Sequence, residues 1–378
     1  MKLMFVAGEA SGDHHGAALI REIRRQKPKA HCFGLGGHEM GAAGMDMRLD
    51  LASKGVIGLV EVLKYIGYFR KAFRLAEGLL RDERPDVLVL IDYPGFNLRL
   101  AATAKKLGIK ICYYISPQVW AWKAGRVPKM ARLLDKMLVT FPFEKAIYDK
   151  AGLDCVFVGN PLLDLVKPSV SNAAMRKRLK IKAGEKLVGL LPGSREQEVR
   201  WLLPVMLQSA ARMAAQRAGL RFVIIKAPQL PQAVYDRAMQ GSPVESLTFE
   251  GKSSGEAYAA RAACDFAVVA SGTATLETAM LKVPFIIVYR INALSFRIAK
   301  WLVKIHSIGL ANVVAGRRVV PELLQDELKP ERVAELSLEF LNEPRKAKAQ
   351  VAALAPSLRG LGKPGVAKRA AREVLALV

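Results

Sequence analysis

The sequence has few of the features that stabilise small secreted proteins or anchor proteins in a membrane. Its four cysteines are spread over 378 residues, and no two of them form a CxxC pair. This spacing favours reduced thiols packed in the interior over a disulfide framework or a zinc site. No apolar run reaches the ~18–20 residues of a transmembrane helix, and the apolar stretch at the amino terminus is too short for a signal peptide. We therefore expect a cytoplasmic protein.

Motifs that mark metal and dinucleotide sites are also lacking. No two aspartates stand at positions i and i+2, and no HExxH is present. The glycine-containing loop at 8–13 has neither GxGxxG nor GxxxxGKS/T spacing. The sequence therefore predicts that the protein uses no metal and no cofactor, and that this loop is neither a dinucleotide-binding loop nor a P-loop.

Acidic residues are scarce relative to basic ones. Lys and Arg number 58 and Asp and Glu 34, which gives a formal charge of +24. An excess of this size indicates an anionic partner, which can be nucleic acid, an acidic membrane surface or a phosphorylated substrate. Hydrophobic residues make up 51% and charged residues 24%, which excludes a disordered, collagen-like or coiled-coil chain. The length predicts two domains.

Short apolar runs alternate along the chain with segments of helical period. The runs that we interpret as strands lie at 2–7, 31–35, 87–92, 109–116, 136–141, 155–158, 186–194, 221–228, 265–271 and 284–290. Continuous apolar strands that alternate with helices are typical of a parallel sheet covered on both faces. The pattern stops in the polar, basic segment 162–185 and then starts again. We therefore predict an α/β protein with two Rossmann-like, doubly wound domains facing a cleft.

The same pattern gives the expected domain boundaries. The first domain takes residues 1–165 and the second takes residues 186–330, with a linker between them. Residues 331–378 are helical in composition and form the expected tail.

In the first half, two polar motifs follow predicted strands. The loop GEASGD places Gly8, Glu9, Ser11, Gly12 and Asp13 between a strand and a helix, where backbone N–H groups favour an anion. The alternative is a tight turn capped by Ser or Asp. A second motif, IDYPGFN, places Asp92 at the carboxyl end of a buried strand, where ligands of open α/β sheets bind. Asp92 is a candidate base for a hydroxyl nucleophile, and the alternative is a helix cap.

In the second half, two motifs repeat this strand–loop–helix arrangement. The motif LPGSR places Arg195 near a helix amino terminus, where a diphosphate binds well, although a surface Arg near a turn is an equal alternative. The motif SGTATLE offers phosphate donors and, one turn later, a carboxylate for ribose hydroxyls, with an N-cap box as the alternative. Asn312 suits a polar ligand or a turn. The donor-side candidates are Gly193, Ser194, Arg195, Ser271, Gly272, Thr273, Glu277 and Asn312.

The stretch 56–80 interleaves basic residues with aromatic and apolar ones. Such a mixture suits an acidic lipid interface, and the alternative is a buried helix with snorkelling basic ends. The candidate membrane contacts are Tyr65, Tyr68, Phe69, Arg70, Lys71 and Phe73.

Taken together and in order, the motifs resemble those of the lipid-A-disaccharide synthase family over residues 1 to about 326. The matching segments are GEASGD (8–13), Gly36 with Gly37 and Met40, IGLVEVL (57–63), IDYPGFN (91–97), SPQVWAW (116–122), FPFEK (141–145), LLPGSR (190–195), SGTATLE (271–277), N..AGR (312–317) and PELLQ (321–325). The resemblance implies the two-Rossmann GT-B architecture. The first domain would then face the acceptor and the membrane, and the second would bind the UDP-sugar.

The resemblance also implies an activity and its partners. An inverting glycosyltransferase of this family joins UDP-2,3-diacylglucosamine to 2,3-diacylglucosamine 1-phosphate through a β(1→6) bond and releases UDP, in lipid A biosynthesis. Both lipids lie at the inner face of the cytoplasmic membrane. The resemblance therefore implies a peripheral protein on that anionic surface, with no nucleic acid partner, and leaves a homodimer open.

Residue by residue, the resemblance places the family's candidate base on Asp92 and its donor-binding arginine on Arg195. The loop GEASGD becomes the acceptor-side loop. Two positions depart from the family pattern. Gly95 stands where the family often has an acid, and Asn160 stands where it usually has a histidine, so roles for those side chains are in doubt here.

Two other classes of protein compete with this interpretation. A UDP-N-acetylglucosamine 2-epimerase-like enzyme would share the architecture but would not need the basic aromatic stretch. A nucleic-acid-binding protein would explain the charge alone and would show steep salt dependence. RNA-recognition and zinc-finger signatures are absent, and the aromatic residues cluster with apolar ones rather than on a basic sheet face.

Overall fold

The computed structural model describes residues 1–52, 66–122, 124–228, 230–251, 253–291 and 307–378. The chain divides into two compact units. Unit 1 takes residues 1–163 and 361–378, and unit 2 takes residues 164–360. Tyr65 and the motif at 57–63 lie outside the described residues. No helix among the described residues is long and apolar enough to cross a bilayer.

Unit 1 contains a parallel sheet with the strand order β3-β2-β1-β4-β5-β6-β7. Its strands are β1 Lys2–Ala7, β2 His31–Gly36, β3 Asp46–Asp50, β4 Val87–Ile91, β5 Lys110–Tyr114, β6 Lys136–Val139 and β7 Cys155–Phe157. Its helices are α1 Ala10–Gln26, α2 His38–Ala42, α3 Ile66–Glu83, α4 Pro94–Lys106, α5 Val119–Trp122, α6 Val127–Leu133, α7 Pro142–Asp149 and, near the carboxyl terminus, α17 Val366–Leu375. Helix α8, Leu162–Leu165, carries the chain into unit 2.

The central strands of unit 1 are apolar because both of their faces are covered. Along β1, Met4 and Val6 join the hydrophobic core on one face of the sheet, whereas Leu3 and Phe5 join the core on the other. This alternation follows from the two-residue period of a strand. Two buried faces therefore produce the continuous apolar runs seen in the sequence.

Unit 2 contains a second parallel sheet, with the order β10-β9-β8-β11-β12-β13. Its strands are β8 Lys186–Leu191, β9 Leu220–Ile225, β10 Leu247–Phe249, β11 Phe266–Ala270, β12 Phe285–Tyr289 and β13 Glu322–Leu324. Its described helices are α9 Asn172–Arg178, α10 Glu196–Gln216, α11 Gln232–Met239, α12 Ser254–Ala262, α13 Thr273–Met280, α14 Leu310–Ala315, α15 Pro330–Asn342 and α16 Pro344–Arg359. Both sheets have the doubly wound order, as the sequence predicted.

The structure divides the chain differently from the predicted boundaries. Part of the expected linker is the helix α9, and its Met175 is buried in the core of unit 2. The expected tail also divides, since α15 and α16 belong to unit 2 whereas α17 belongs to unit 1. Val366, Ala370 and Val374 form the buried face of α17 in the core that also contains residues of α1. Their four-residue spacing is that of one helix face.

Three strands that the sequence interpretation missed lie at the edges of the sheets. These are β3, β10 and β13. Residues along β3 alternate between exposed and half-buried, and β10 and β13 have three residues each. Because a short or half-exposed edge strand needs no continuous apolar run, it gives little sequence signal.

Candidate active site

Each sheet reverses its winding between two central strands, and each reversal brings two of the predicted loops together. In unit 1, β1 and β4 lie side by side and end in Gly8–Glu9 and Asp92. In unit 2, β8 and β11 lie side by side, and their loops contain residues 193–195 and 271–273. The crevice outside such a reversal is where open α/β sheets bind ligands. We call these two places the acidic edge and the anion edge.

The acidic edge contains unusual backbone conformations. Asp92 and Tyr93 have φ values of +46° and +49°, and Ile115, which follows the neighbouring strand β5, has +65°. Non-glycine residues in this left-handed region each cost on the order of 1–3 kcal/mol, and a β-branched residue is a clear outlier there. Strain of this kind persists where the surrounding structure holds it, and it clusters at functional sites.

The carboxyl group of Asp92 is half-buried and is not a helix cap. Helix α4 has Tyr93 at its N-cap, with no side-chain capping hydrogen bond. Burial and, to a smaller extent, the negative charge of Glu9 raise the pKa of Asp92 to about 6, against a hydrogen bond from the Tyr93 main chain. A carboxylate with this pKa is a suitable proton acceptor near neutral pH.

The loop before α1 is shaped by close packing. An added Cβ at Gly8 would lie 2.3 Å from the ring of Tyr93, so only glycine fits there. Of the other predicted acceptor-side residues, Ser11 is exposed and Gly12 is buried.

Asp13, in contrast, is buried and holds a neighbouring loop. Its Oδ1 accepts hydrogen bonds from the main-chain N–H of Gly37 at 2.9 Å and of Met40 at 3.0 Å, and its Oδ2 accepts from Glu39 at 3.0 Å. The carboxylate therefore caps the start of α2 and ties that loop to α1.

The predicted membrane residues of α3 fall into two groups. Arg70 and Lys71 are exposed. Tyr68, Phe69 and Phe73 are half-buried and pack against the core of unit 1, and the hydroxyl of Tyr68 donates to the carbonyl of Asp50 at 2.6 Å. Aromatic contacts continue from Phe69 to Tyr93, next to Asp92, with ring centroids 6.4 Å apart. The aromatic residues of α3 therefore pack next to the residue that follows Asp92.

At the anion edge, the first loop is closed by a glutamate. The Oε2 of Glu198 accepts from the main-chain N–H of Ser194 at 2.9 Å and of Arg195 at 3.3 Å, and Arg195 Nη1 donates to its Oε1 at 3.1 Å. Gly193 has a φ of +109°, and a Cβ there would lie 2.2 Å from Glu198 Oε2. The exposed Arg195 thus stands at the N-cap of the 21-residue helix α10. Helix starts favour anions, but here Glu198 occupies two of the N–H groups and pairs with the guanidinium, so contact between Arg195 and a diphosphate stays a prediction.

The second loop of the anion edge starts α13. Gly272 and Thr273 are exposed at the amino terminus of that helix. The hydroxyl of Ser271 donates to the carbonyl of Ile308 at 2.9 Å, which fixes the start of the loop. Because β8 and β11 are neighbours, Thr273 and Arg195 follow adjacent strands of one sheet edge.

Like Arg195 and Ser271, two further predicted residues of the UDP-sugar site are bonded to their own chain. Glu277 accepts a hydrogen bond from Tyr258 at 3.2 Å and forms a salt bridge with Arg261. The buried Asn312 donates to Val320 and Glu322, each at 2.8 Å, and accepts from two main-chain N–H groups at 2.9 Å. All four hydrogen-bonding positions of its amide are used. Contact between Asn312 and the UDP-sugar therefore stays a prediction. It would require one of these four hydrogen bonds to break.

A buried carboxylate in unit 1 was not among the predicted site residues. Glu144 is 1% exposed, accepts from the main-chain N–H of Phe141 at 3.1 Å and accepts from Trp120 Nε1 at 3.3 Å. Burial raises the pKa of Glu144 to about 7, against these hydrogen bonds. Its sequence signal is a capping pattern, with Pro142 at the first helical position and a glutamate two residues later.

The fold is shared with solved sugar-nucleotide enzymes. The chain is similar to UDP-GlcNAc 2-epimerase from Neisseria meningitidis, solved with UDP-GlcNAc bound. The TM-score is 0.68 at 14% identity, and the match covers 100% of each chain. For CalG4, the calicheamicin glycosyltransferase, the TM-score is 0.62 at 16% identity, with 100% of this chain and 98% of that chain covered. Both likenesses show the fold alone. They confirm two Rossmann-like domains of the GT-B class, which glycosyltransferases and epimerases share.

Sequence relatives distinguish between these enzymes. The chain belongs to the lipid-A-disaccharide synthetase family, which it matches over residues 3–370. It is 42% identical over 377 residues to the lipid-A-disaccharide synthase of Geobacter metallireducens, covering 100% of this chain and 97% of the relative. It is 39% identical over 380 residues to the synthase of Myxococcus xanthus, with the same coverage. The resemblance seen in the motifs is thus confirmed, and the chain is a glycosyltransferase of lipid A biosynthesis.

Proposed function

We propose that this enzyme transfers 2,3-diacylglucosamine from UDP to the 6-hydroxyl of 2,3-diacylglucosamine 1-phosphate, with inversion at the anomeric carbon. The observation that carries the proposal is full-length identity of about 40% to named synthases. The acidic edge adds chemical support, since Asp92 is a half-buried carboxylate with a raised pKa at a ligand-binding reversal. The epimerase alternative rests on the fold alone.

In the proposed mechanism, Asp92 accepts the proton of the 6-hydroxyl while that oxygen attacks the anomeric carbon. The C1–O bond to the diphosphate breaks on the opposite face, and UDP leaves with the bonding pair. Arg195, released from its contact with Glu198, and the amino terminus of α13 stabilise the growing negative charge.

In this mechanism, protein groups rather than a metal ion stabilise the negative charge of the leaving UDP. The guanidinium of Arg195, once it exchanges Glu198 for the diphosphate, and the amino terminus of α13 supply positive potential at the anion edge. We therefore propose that turnover needs no divalent cation.

The decisive experiment measures UDP release by the purified protein. With both lipids present we expect UDP and a disaccharide 1-phosphate whose new linkage is β. The rate should be unchanged by EDTA. With soluble UDP-N-acetylglucosamine as sole substrate we expect no epimer. Epimer formation without lipid, or no disaccharide from the two lipids, would refute the proposed reaction.

We further propose that α3 places the protein on the anionic inner surface of the cytoplasmic membrane. Since Tyr68 and Phe69 pack on the core, exposed charges are better test positions. Replacing Arg70 and Lys71 with Glu should weaken co-sedimentation with vesicles containing anionic lipid. The matched control replaces Arg345 and Lys348, which are exposed on α16, with Glu. Equal losses in both double variants would show that net charge alone acts and would contradict a surface on α3.

A further inference from the structure

The main-chain carbonyl of Asp92 accepts hydrogen bonds from two buried side chains. Tyr113 Oη donates to it at 2.5 Å, and Asn97 Nδ2 donates to it at 2.7 Å. Tyr113 comes from the neighbouring strand β5 and Asn97 from the first turn of α4, and both residues are 0% exposed. A carbonyl oxygen has two acceptor positions, so these donors use both.

These bonds hold a backbone that the residues would not adopt unaided. Asp92 and Tyr93 are both left-handed, and the main-chain N–H of Asn97 donates to the carbonyl of Tyr93 at 3.1 Å. The direction in which a side chain leaves the backbone depends on its φ and ψ. A change at the Asp92 carbonyl would therefore swing the carboxylate relative to the edge.

The amide of Asn97 shows which of its atoms matter. Its Nδ2 also donates to the carbonyl of Ile91 at 3.2 Å, so two carbonyls fix the orientation of the amide. Its Oδ1 is buried without a hydrogen-bond partner in the described structure. An unpaired buried acceptor is unfavourable. The hydrogen bonds of this side chain are therefore those that its Nδ2 donates to the strand end.

We propose that Tyr113 and Asn97 are positioning residues, which clamp the Asp92 carbonyl and thereby aim its carboxylate at the acceptor hydroxyl. The inference rests on the proposed function, because it needs Asp92 to act as the base. It goes beyond that function by assigning a role to two side chains buried beneath the edge.

The test removes one hydroxyl and compares two buried tyrosines. Tyr113→Phe deletes the bond to Asp92 and keeps the ring in the core. The control, Tyr148→Phe, deletes the hydroxyl of another fully buried tyrosine of unit 1, which contacts Ser116 Oγ at 2.5 Å instead. We expect Tyr113→Phe to lower kcat about 10- to 100-fold, the range typical of a misplaced reacting group, with an unchanged KM for the UDP-sugar. Tyr148→Phe should keep kcat within about twofold.

A double variant separates positioning from general packing. If Tyr113 acts through the carboxylate, Tyr113→Phe should change the residual turnover of Asp92→Asn less than about twofold, because coupled residues are not additive. An equal loss in both backgrounds would overturn the inference, as would a Tyr113→Phe enzyme with wild-type kcat. Asn97→Asp, which replaces the donor by an acceptor, should lower kcat in the same way. Thermal unfolding of each variant confirms that the fold is retained.

The outcome also distinguishes this inference from the proposed function. If Asp92→Asn abolishes turnover whereas Tyr113→Phe matches wild type, the base assignment stands and the clamp fails. If Asp92→Asn turns over like wild type, the base assignment fails and the clamp fails with it.

Discussion

The two sheets have corresponding strand orders, yet their central loops use different backbone chemistry. The acidic edge places non-glycine residues, Asp92, Tyr93 and Ile115, in the left-handed region. The anion edge has positive φ at Gly193 and Gly272, where a missing Cβ makes the conformation inexpensive. A proton acceptor needs a side chain, so strain there must be held by neighbours. The loops proposed to bind phosphate need no side chain at these two positions, so glycine suffices.

The largest expected effect comes from removing the carboxylate at the acidic edge. Asp92→Asn should lower kcat about 10²–10⁴-fold, the usual contribution of a general base, while UDP affinity stays unchanged. UDP release and calorimetric titration with UDP measure the two quantities. A variant that turns over at the wild-type rate would remove Asp92 from this role.

The matching change at the anion edge should affect both binding and rate. Arg195→Ala removes a charged donor from the start of α10 and should cost about 10²–10³-fold in kcat/KM, with weaker UDP binding. Titration with UDP checks the second effect. If UDP binds Arg195→Ala as tightly as wild type, the diphosphate does not lie at this edge.

A pH profile sharpens the contrast, because the proposed base at the acidic edge has a pKa near neutrality. Since the pKa of Asp92 is raised to about 6, kcat/KM should rise with pH through that value and level off above it. The charge of Glu9 raises this pKa, so Glu9→Gln should move the rise to lower pH. Arg195→Ala should lower the plateau without moving the rise, since the pKa of Asp92 is set by its burial, Glu9 and the Tyr93 main chain.

Glu144 provides the control for this profile, since its pKa is raised to about 7. We expect Glu144→Gln to leave the position of the rise unchanged. If Glu144→Gln moves the rise and Glu9→Gln does not, the titrating carboxylate is Glu144 and not Asp92.

The smallest expected effect is on stability, and its sign differs between two aspartates of unit 1. Asp92 ionises at about 6 in the fold against 3.8 ordinarily, so its contribution to stability falls as pH rises from about 4 to 6. Asp92→Asn should therefore raise the free energy of unfolding by about 1–2 kcal/mol at pH 8 and by little at pH 3. Asp13→Asn should lower it at pH 8 by about 1–3 kcal/mol, because its carboxylate accepts three main-chain bonds. Urea unfolding at both pH values measures each change, and equal signs at pH 8 would contradict this assignment.

Much of the fold could be predicted because parallel strands that are buried on both faces appear in the sequence as continuous apolar runs. The runs at 87–92 and 265–271 became the central strands β4 and β11. The path of the tail could not be predicted in the same way. An amphipathic pattern in α17 shows that one face is buried, but the identity of the covering element is a long-range fact.

The candidate site shows the same division. Asp92 and Arg195 could be named as candidates because each follows a strand end in a recognisable motif, and their roles stay predictions. The roles of Asp13, Glu277 and Asn312 were not separable in the sequence, since a polar residue next to a loop can bind a ligand or the chain itself. Partners such as Gly37 or Arg261 lie 24 and 16 residues away along the chain.

By itself, the sequence determined two doubly wound sheets, the loops at their winding reversals and the membership of a glycosyltransferase family. Tertiary structure alone decided which polar side chains are already bonded, how Asp92 is strained and which buried donors hold it. The physical reason is the range of the interactions. Periodicity and motif order are local or additive along the chain, whereas a raised pKa or a shared carbonyl depends on groups that only folding brings together.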